Sequence, residues 1–261
     1  MKEITDLHIT KWGNGATKIV LVHGGVQGTK VSGSEHFSAQ EKLADLGYTL
    51  IVPDRPGHGK SPTPNRPDDA EADGELIAEL LGDGAHLVGH SFGGCVALAA
   101  TYKKPNAVKS LTLIEPGMQA LAVDKFPVLW FVLRLVAILK LSFSPENRIK
   151  RFSKFMHIPS EVGGSAVSRE EYVAMGKAVS VLKVPSKETL VRQLLKVNHD
   201  GIPLLVVTGG WSKGVDITAE VVATLGNGKH VIISSPHHFP QLISNKFNEL
   251  LVQFIKKSGR K

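Results

Sequence analysis

Six short runs of apolar and β-branched residues recur along this chain, each closed by glycine, proline or a polar residue. They are Lys18–His23, Thr49–Asp54, His86–His90, Ser110–Glu115, Pro203–Thr208 and His230–Ser234. Runs this short and this continuously apolar suit strands covered on both faces, as in parallel sheets. Between and after them, Glu35–Leu46, Asp68–Leu81, Gly93–Lys104, Ala219–Leu225 and Pro240–Lys256 read as helices. Strand alternating with helix predicts an α/β fold with a doubly wound, mostly parallel sheet and right-handed crossovers.

The alternation breaks over residues 118–201, where no strong strand run occurs. That stretch holds the apolar segment Phe126–Leu141, a basic stretch at Arg148–Lys154, a polar loop around Gly163-Gly164, and the pattern Leu190, Val191, Leu194, Leu195. It predicts a helical cap insertion, 118–201, between two parts of one core, 1–117 and 202–261. Phe126–Leu141 has 16 residues and includes Arg134 and Lys140. A spanning helix needs about 20 residues with few charges. The segment therefore reads as a buried or cap helix, with membrane contact the lesser alternative and no stable insertion.

Gly89-His90-Ser91-Phe92-Gly93 matches the pattern G-x-S-x-G. The pentapeptide alone is common; its setting is not. An apolar run leads in, and the small-residue helix Gly94-Cys95-Val96-Ala97-Leu98-Ala99-Ala100 leads out. A sharp strand-to-helix turn holds a serine in a strained conformation with its hydroxyl exposed, and needs small residues two positions either side. Further pieces accompany it in order: His23-Gly24-Gly25, then Asp54-Arg55-Pro56-Gly57-His58-Gly59-Lys60-Ser61, and finally His238-Phe239-Pro240. With these the chain resembles the α/β-hydrolase superfamily over nearly its whole length. The resemblance implies the α/β-hydrolase fold, a nucleophilic Ser91, and an oxyanion hole made by the backbone N–H groups of Phe92 and Gly25, with Val26 the neighbouring possibility. It also implies a general base after the last strand. Of the adjacent His237 and His238, the aromatic residue and proline that follow favour His238, in the chain order serine, acid, histidine.

The acid has two candidates at this level, Glu115, which is favoured, and Asp216, the alternative. Many relatives carry an aspartate in the loop after the seventh strand, but here Ser212 occupies that place and Asp216 lies four residues on, where it also suits a helix cap. The second arrangement places the acid directly after the sixth strand, as in some lactonases, and points to Glu115. A carboxylate ending an apolar strand needs a partner to offset its desolvation. Asp54 reads as a structural carboxylate bonding the turn that follows it. His58 and His90 read as site-shaping, and His8, His36 and His157, which lie in no motif, as incidental.

Relatives with dehalogenase and epoxide hydrolase activity resemble one another in an aspartate nucleophile, which Ser91 replaces here. The sequence has no metal-spaced His/Cys cluster, phosphate loop or dinucleotide fingerprint, so no cofactor is expected. The net charge is +7, but the basic residues are mostly scattered and do not interleave with aromatic residues, which argues against a nucleic-acid partner. One cysteine, Cys95, excludes an intramolecular disulfide and reads as a small core residue. Together with an amino terminus that lacks an apolar signal region, it predicts a cytoplasmic protein. Trp130, Phe131 and Leu133 are candidates for an acyl pocket, or for packing between insertion and core. The resulting expectation is a serine hydrolase acting on carboxylic esters or lactones of a hydrophobic small molecule. The alternatives are a ligand receptor, or a lyase or cofactor-free peroxidase-like enzyme, on the same fold. The oligomeric state is left open.

Overall fold

The computed structural model describes residues 7–159 and 167–259. The loop expected around Gly163-Gly164 and the segment Met1–Asp6 lie outside the described residues. Among the described residues seven strands form one sheet: β1 (Ile9–Trp12), β2 (Thr17–Val22), β3 (Tyr48–Pro53), β4 (Ala85–His90), β5 (Val108–Ile114), β6 (Leu204–Thr208) and β7 (Lys229–Ile232). Their order is β1-β3-β2-β4-β5-β6-β7. All neighbours are parallel except β1, which pairs antiparallel with β3. The six predicted runs are β2 to β7. The seventh strand escaped the sequence because Ile9-Thr10-Lys11-Trp12 is a half-exposed edge with no continuous apolar run.

The helices are α1 (Gly33–His36), α2 (Ala70–Leu80), α3 (Phe92–Lys103), α4 (Phe126–Leu141), α5 (Pro145–Phe155), α6 (Arg169–Ala178), α7 (Lys187–His199), α8 (Lys213–Leu225), α9 (Pro240–Ile243) and α10 (Lys246–Ser258). Two predicted helices are broken. Glu35–Leu46 divides at Phe37, whose backbone leaves the helical region while its ring enters the core; a tighter 3₁₀ segment, Ser38–Leu46, follows. Pro240–Lys256 divides at Ser244, which is extended and accepts the Lys246 N–H on its hydroxyl, starting a new helix.

Strand side chains alternate between two apolar layers, as a period of two requires. Val20 and Val22 face one layer with Leu87, Leu111 and Val206, where Ile77 of α2, Val96 and Ala100 of α3, and Val222 of α8 cover them. Ile19 and Leu21 face the other with Val88, Ile114 and Val207, covered by Phe37, Leu43 and the Phe247, Leu251, Ile255 stripe of α10. Each of those α10 residues, spaced four apart, contributes about 1.5–3 kcal/mol by burial. Leu190, Leu194 and Val197 of α7 belong to the first layer. Thus α7 closes the crossover from β5 to β6, and α4, α5 and α6 are the helices that stand apart from the two main layers. Val26, in the loop after β2, packs on Ile149 of α5 and Val179 just past α6.

Candidate active site

The carboxyl ends of β2, β4, β5, β6 and β7 converge on Ser91. It sits between β4 and α3 at φ 56° and ψ −124°, a conformation that costs a non-glycine residue about 1–3 kcal/mol. Its surroundings allow no bulk. A Cβ on Gly93 would strike the carbonyls of Val22 and His23, and one on Gly89 would strike Gly93 and Ala97. A Cβ on Gly24 would come within 2.8 Å of the Ser91 Cβ. The bend is fixed by hydrogen bonds from Ser91 N–H to the Ile114 carbonyl (2.8 Å) and from Gly94 N–H to the Ser91 carbonyl (2.9 Å).

His238, between β7 and α9, brings its Nε2 to 2.9 Å from the Ser91 Oγ and its Nδ1 to 3.1 Å from Glu115 Oε2. An ionised carboxylate only accepts, so Nδ1 carries the hydrogen and Nε2 is left to accept from the serine hydroxyl. His237 instead turns its ring to Ser235 and to the Phe239 N–H.

Glu115 ends β5 with φ at 49°, a second strained non-glycine residue. Its carboxylate is buried and takes three donors: Gly209 N–H on Oε1 at 2.5 Å, and Trp211 Nε1–H (2.9 Å) together with His238 on Oε2. Asp216, the other acid considered, does not meet His238. Helix α8 begins at Lys213, not near Thr218, so Asp216 lies inside the first turn instead of in the loop or at the cap. Burial raises its pKa, and its Oδ1 has no partner among the described residues.

The first residue of α3 and the loop after β2 both adjoin the serine. Phe92 opens α3, where the first amides have no acceptor within the helix and the helix dipole is positive. On the facing loop, buried Arg55 donates to the carbonyls of His23 (3.0 Å), Gly24 (3.3 Å) and Gly25 (3.3 Å). In a trans peptide the N–H points opposite the preceding carbonyl. The amides of Gly25 and Val26 therefore both point away from the arginine. Gly25 is exposed, with φ at 88°, a region glycine enters at no steric cost; Val26 is buried. Arg55 is held by Asp68 and Asp73 (2.8 Å each) and lies 4.9 Å from the centre of the Phe92 ring. The loop after β2 and the Phe92 ring that opens α3 thus rest on one side chain, a role that the sequence did not reveal because Arg55 lay in a motif read as a turn. Asp54 in that motif accepts from Gly33 N–H (2.7 Å) and Lys60 N–H (3.0 Å), the structural place expected for it.

The histidines read as incidental are not. His8 Nδ1 lies 3.0 Å from Asp54. His36 joins a packed row of rings, with His58, His23, His36, His90 and His238 each 5.0–6.2 Å from the next. Burial, with the Arg55 charge behind it, lowers the His36 pKa to about 3, and burial holds His23, His58 and His90 well below the ordinary value. They are neutral at pH 7. His90 Nε2–H donates to the His238 carbonyl at 2.7 Å. The His157 carbonyl accepts the His238 N–H at 3.4 Å, and the His157 ring packs on Trp211. These residues carried no local signal, because their roles arise from elements far apart in sequence. Cys95 is buried in α3 with its thiol pKa pushed up to about 12 by desolvation.

A cleft of about 660 Å³ lies between α4 and α5, with Trp211 and His157 in its wall. Phe131 lines it, but Trp130 and Leu133, grouped with Phe131 as pocket or packing residues, are 56% and 52% exposed and do neither. The helix turns them away, because they flank Phe131 outside its buried stripe. Among the described residues no three or more histidine, cysteine or acidic side chains form a metal-binding group.

A family model described as the alpha/beta hydrolase fold matches residues 18–140. The lipase LipV of Mycobacterium tuberculosis is 34% identical over 122 residues, 44% of this chain. That match spans only 43% of the lipase. A 2-hydroxy-6-oxononadienedioate/2-hydroxy-6-oxononatrienedioate hydrolase of a Pseudomonas species is 24% identical over 96% of this chain and 92% of its own length. Among solved structures, an N-acyl homoserine lactonase complexed with N-hexanoyl homoserine superposes with a TM-score of 0.68 at 18% identity, covering 98% of this chain and 94% of that one. At that identity the likeness is one of fold.

Proposed function

We propose that this chain, which belongs to the α/β-hydrolase superfamily, is a serine hydrolase that cleaves carboxylic esters or lactones of small apolar molecules through an acyl-enzyme. The observation that carries the reading is the continuous path from Ser91 Oγ through His238 to Glu115, at 2.9 and 3.1 Å. Ser91 attacks the carbonyl carbon while His238 Nε2 takes its proton. Glu115 holds the imidazole and offsets the positive charge it acquires. The N–H groups of Phe92 and Gly25 receive the oxyanion, each worth about 10²–10³ in rate. The protonated His238 then returns the proton to the departing alkoxide, and water, activated by the same imidazole, releases the acid. A lactone follows the same steps, its leaving hydroxyl staying attached to the acyl group. Side chains, backbone amides and water supply every step written here. Residues 118–201 form the insertion in this reading, and α4–α6 act as the cap over the strand ends, anchored where Val26 meets Ile149.

The names of the relatives span a lipase, a lactonase and a dioic-acid hydrolase. The test is therefore a panel: p-nitrophenyl esters of increasing acyl length, N-hexanoyl homoserine lactone, and 2-hydroxy-6-oxononadienedioate. Turnover of an ester or lactone that Ser91→Ala abolishes supports the proposal. Tight binding without turnover by the wild-type protein would replace it with a receptor role. Turnover of the dioate alone would move the reaction to carbon–carbon cleavage.

A further inference from the structure

Helix α4 is apolar nearly all round, yet only one of its faces is covered. Val128, Phe131 and Ile138 are buried, whereas Phe126, Leu129, Trp130, Leu133, Val136 and Leu141 are exposed. At 100° per residue those six occupy one arc of about 140°. Phe143, 98% exposed, extends the patch past the helix end. A contiguous apolar surface of this kind marks a contact with something else.

The charges around it identify the contact. Lys140 stands within that arc near the carboxyl end of α4, Lys125 at the amino end is paired with Asp124 (3.1 Å), and Arg134 borders the apolar arc on the side of the cleft. Across that cleft are Arg151 and Lys154 of α5, and no described lining residue is a carboxylate. Arg134 rests on the Phe155 ring and Arg151 on the Ser142 hydroxyl, while Glu146, the acid of α5, is engaged by Lys150 and Arg169. A second copy packed face to face would set these cations against their own images, which disfavours self-association. An apolar stripe bordered by lysine and arginine is the pattern of a helix lying in the plane of an anionic bilayer. No helix among the described residues is long and apolar enough to cross one.

We propose that α4 seats this protein on anionic lipid bilayers. The exposed apolar side chains enter the boundary between headgroups and acyl chains, and the cleft bounded by Arg134, Arg151 and Lys154 takes a lipid phosphate. Trp211 and His157 wall that cleft and also contact His238, so docking places the catalytic histidine next to the lipid surface.

The experiment is co-sedimentation of the full chain with vesicles of phosphatidylcholine alone and of phosphatidylcholine mixed with phosphatidylglycerol. The protein should sediment with the mixed vesicles, and its tryptophan emission should shift to the blue, a shift lost in Trp130→Phe. Leu133→Glu should abolish binding. Arg151→Gln with Lys154→Gln should weaken it about twenty-five-fold, at about fivefold per cation. Both variants should hydrolyse a soluble short-chain ester at the wild-type rate. Equal sedimentation of wild type and Leu133→Glu would overturn the proposal. So would equal affinity for the two vesicle types, or a dimer that Leu133→Glu dissociates in a protein that ignores vesicles.

Discussion

Replacing Glu115 by glutamine preserves shape and removes charge, and the three donors around the carboxylate determine the outcome. If the new amide oxygen faces His238 and Trp211, the amide NH₂ is forced against Gly209 N–H, where the native contact is 2.5 Å. If it faces Gly209 instead, the NH₂ opposes the Trp211 indole N–H and drives His238 to the tautomer with its hydrogen on Nε2, which cannot accept from Ser91. In both orientations the imidazolium formed during attack loses its counter-charge. Two unit charges about 4 Å apart at an effective dielectric constant of about 20 interact by about 4 kcal/mol. That is about a thousandfold in rate. Glu115→Gln should therefore lower kcat for a p-nitrophenyl ester by about 10³–10⁴, the range set by amide replacement of a triad acid, with KM little changed. Asp216→Asn should stay within about threefold, since Asp216 does not meet His238. Circular dichroism and thermal unfolding of both variants separate catalysis from folding. The reasoning is refuted if Glu115→Gln keeps more than a tenth of wild-type kcat, or if Asp216→Asn is the variant that collapses.

Arg55→Lys keeps a positive charge between Asp68 and Asp73 but cannot reach three carbonyls at once; kcat should fall about a hundredfold, as for loss of one oxyanion donor, with KM nearly constant. An unchanged kcat would show that the loop after β2 needs no such support. The buried histidines make stability depend on pH. His23, His36, His58 and His90 have native pKa values below the unfolded value of 6.5. Below pH 6.5 the unfolded chain therefore binds protons that the native protein refuses. Stability is complete above that pH and falls by about 1.4 kcal/mol per unit for each group as pH drops, reaching to about 3 for His36. Urea unfolding at pH 7 and pH 5 should show the loss, and equal midpoints would contradict it. Cys95 should resist iodoacetamide in the native protein at pH 8, and rapid alkylation would show that α3 opens.

The sheet was legible in the sequence because both faces of its strands are covered, so β2 to β7 appear as continuous apolar runs. The exposed edge β1 had no such mark. Ser91 was legible because the elbow is a local device: strand, glycine, serine, glycine and helix are adjacent in the chain. The histidine that meets Ser91 could be placed by its neighbours, Phe239 and Pro240. The acid stayed open because its selection depends on distance, and Glu115 meets Gly209, Trp211 and His238 only after β5, β6 and β7 align. Arg55, His36 and His157 were missed for the same reason. Their partners lie on other elements, and nothing in a one-dimensional pattern distinguishes a buried arginine that orients amides from one in a surface turn.

The account turns on whether Ser91 is a nucleophile driven by His238. Intact-mass measurement after exposure to a fluorophosphonate, followed by peptide mapping, tests this directly. The wild-type protein should gain one adduct, located on Ser91. Ser91→Ala should gain none, and His238→Gln should react at least a hundredfold more slowly, in line with loss of a general base, worth about 10²–10⁴. An adduct at another residue, or labelling of His238→Gln at the wild-type rate, would contradict it.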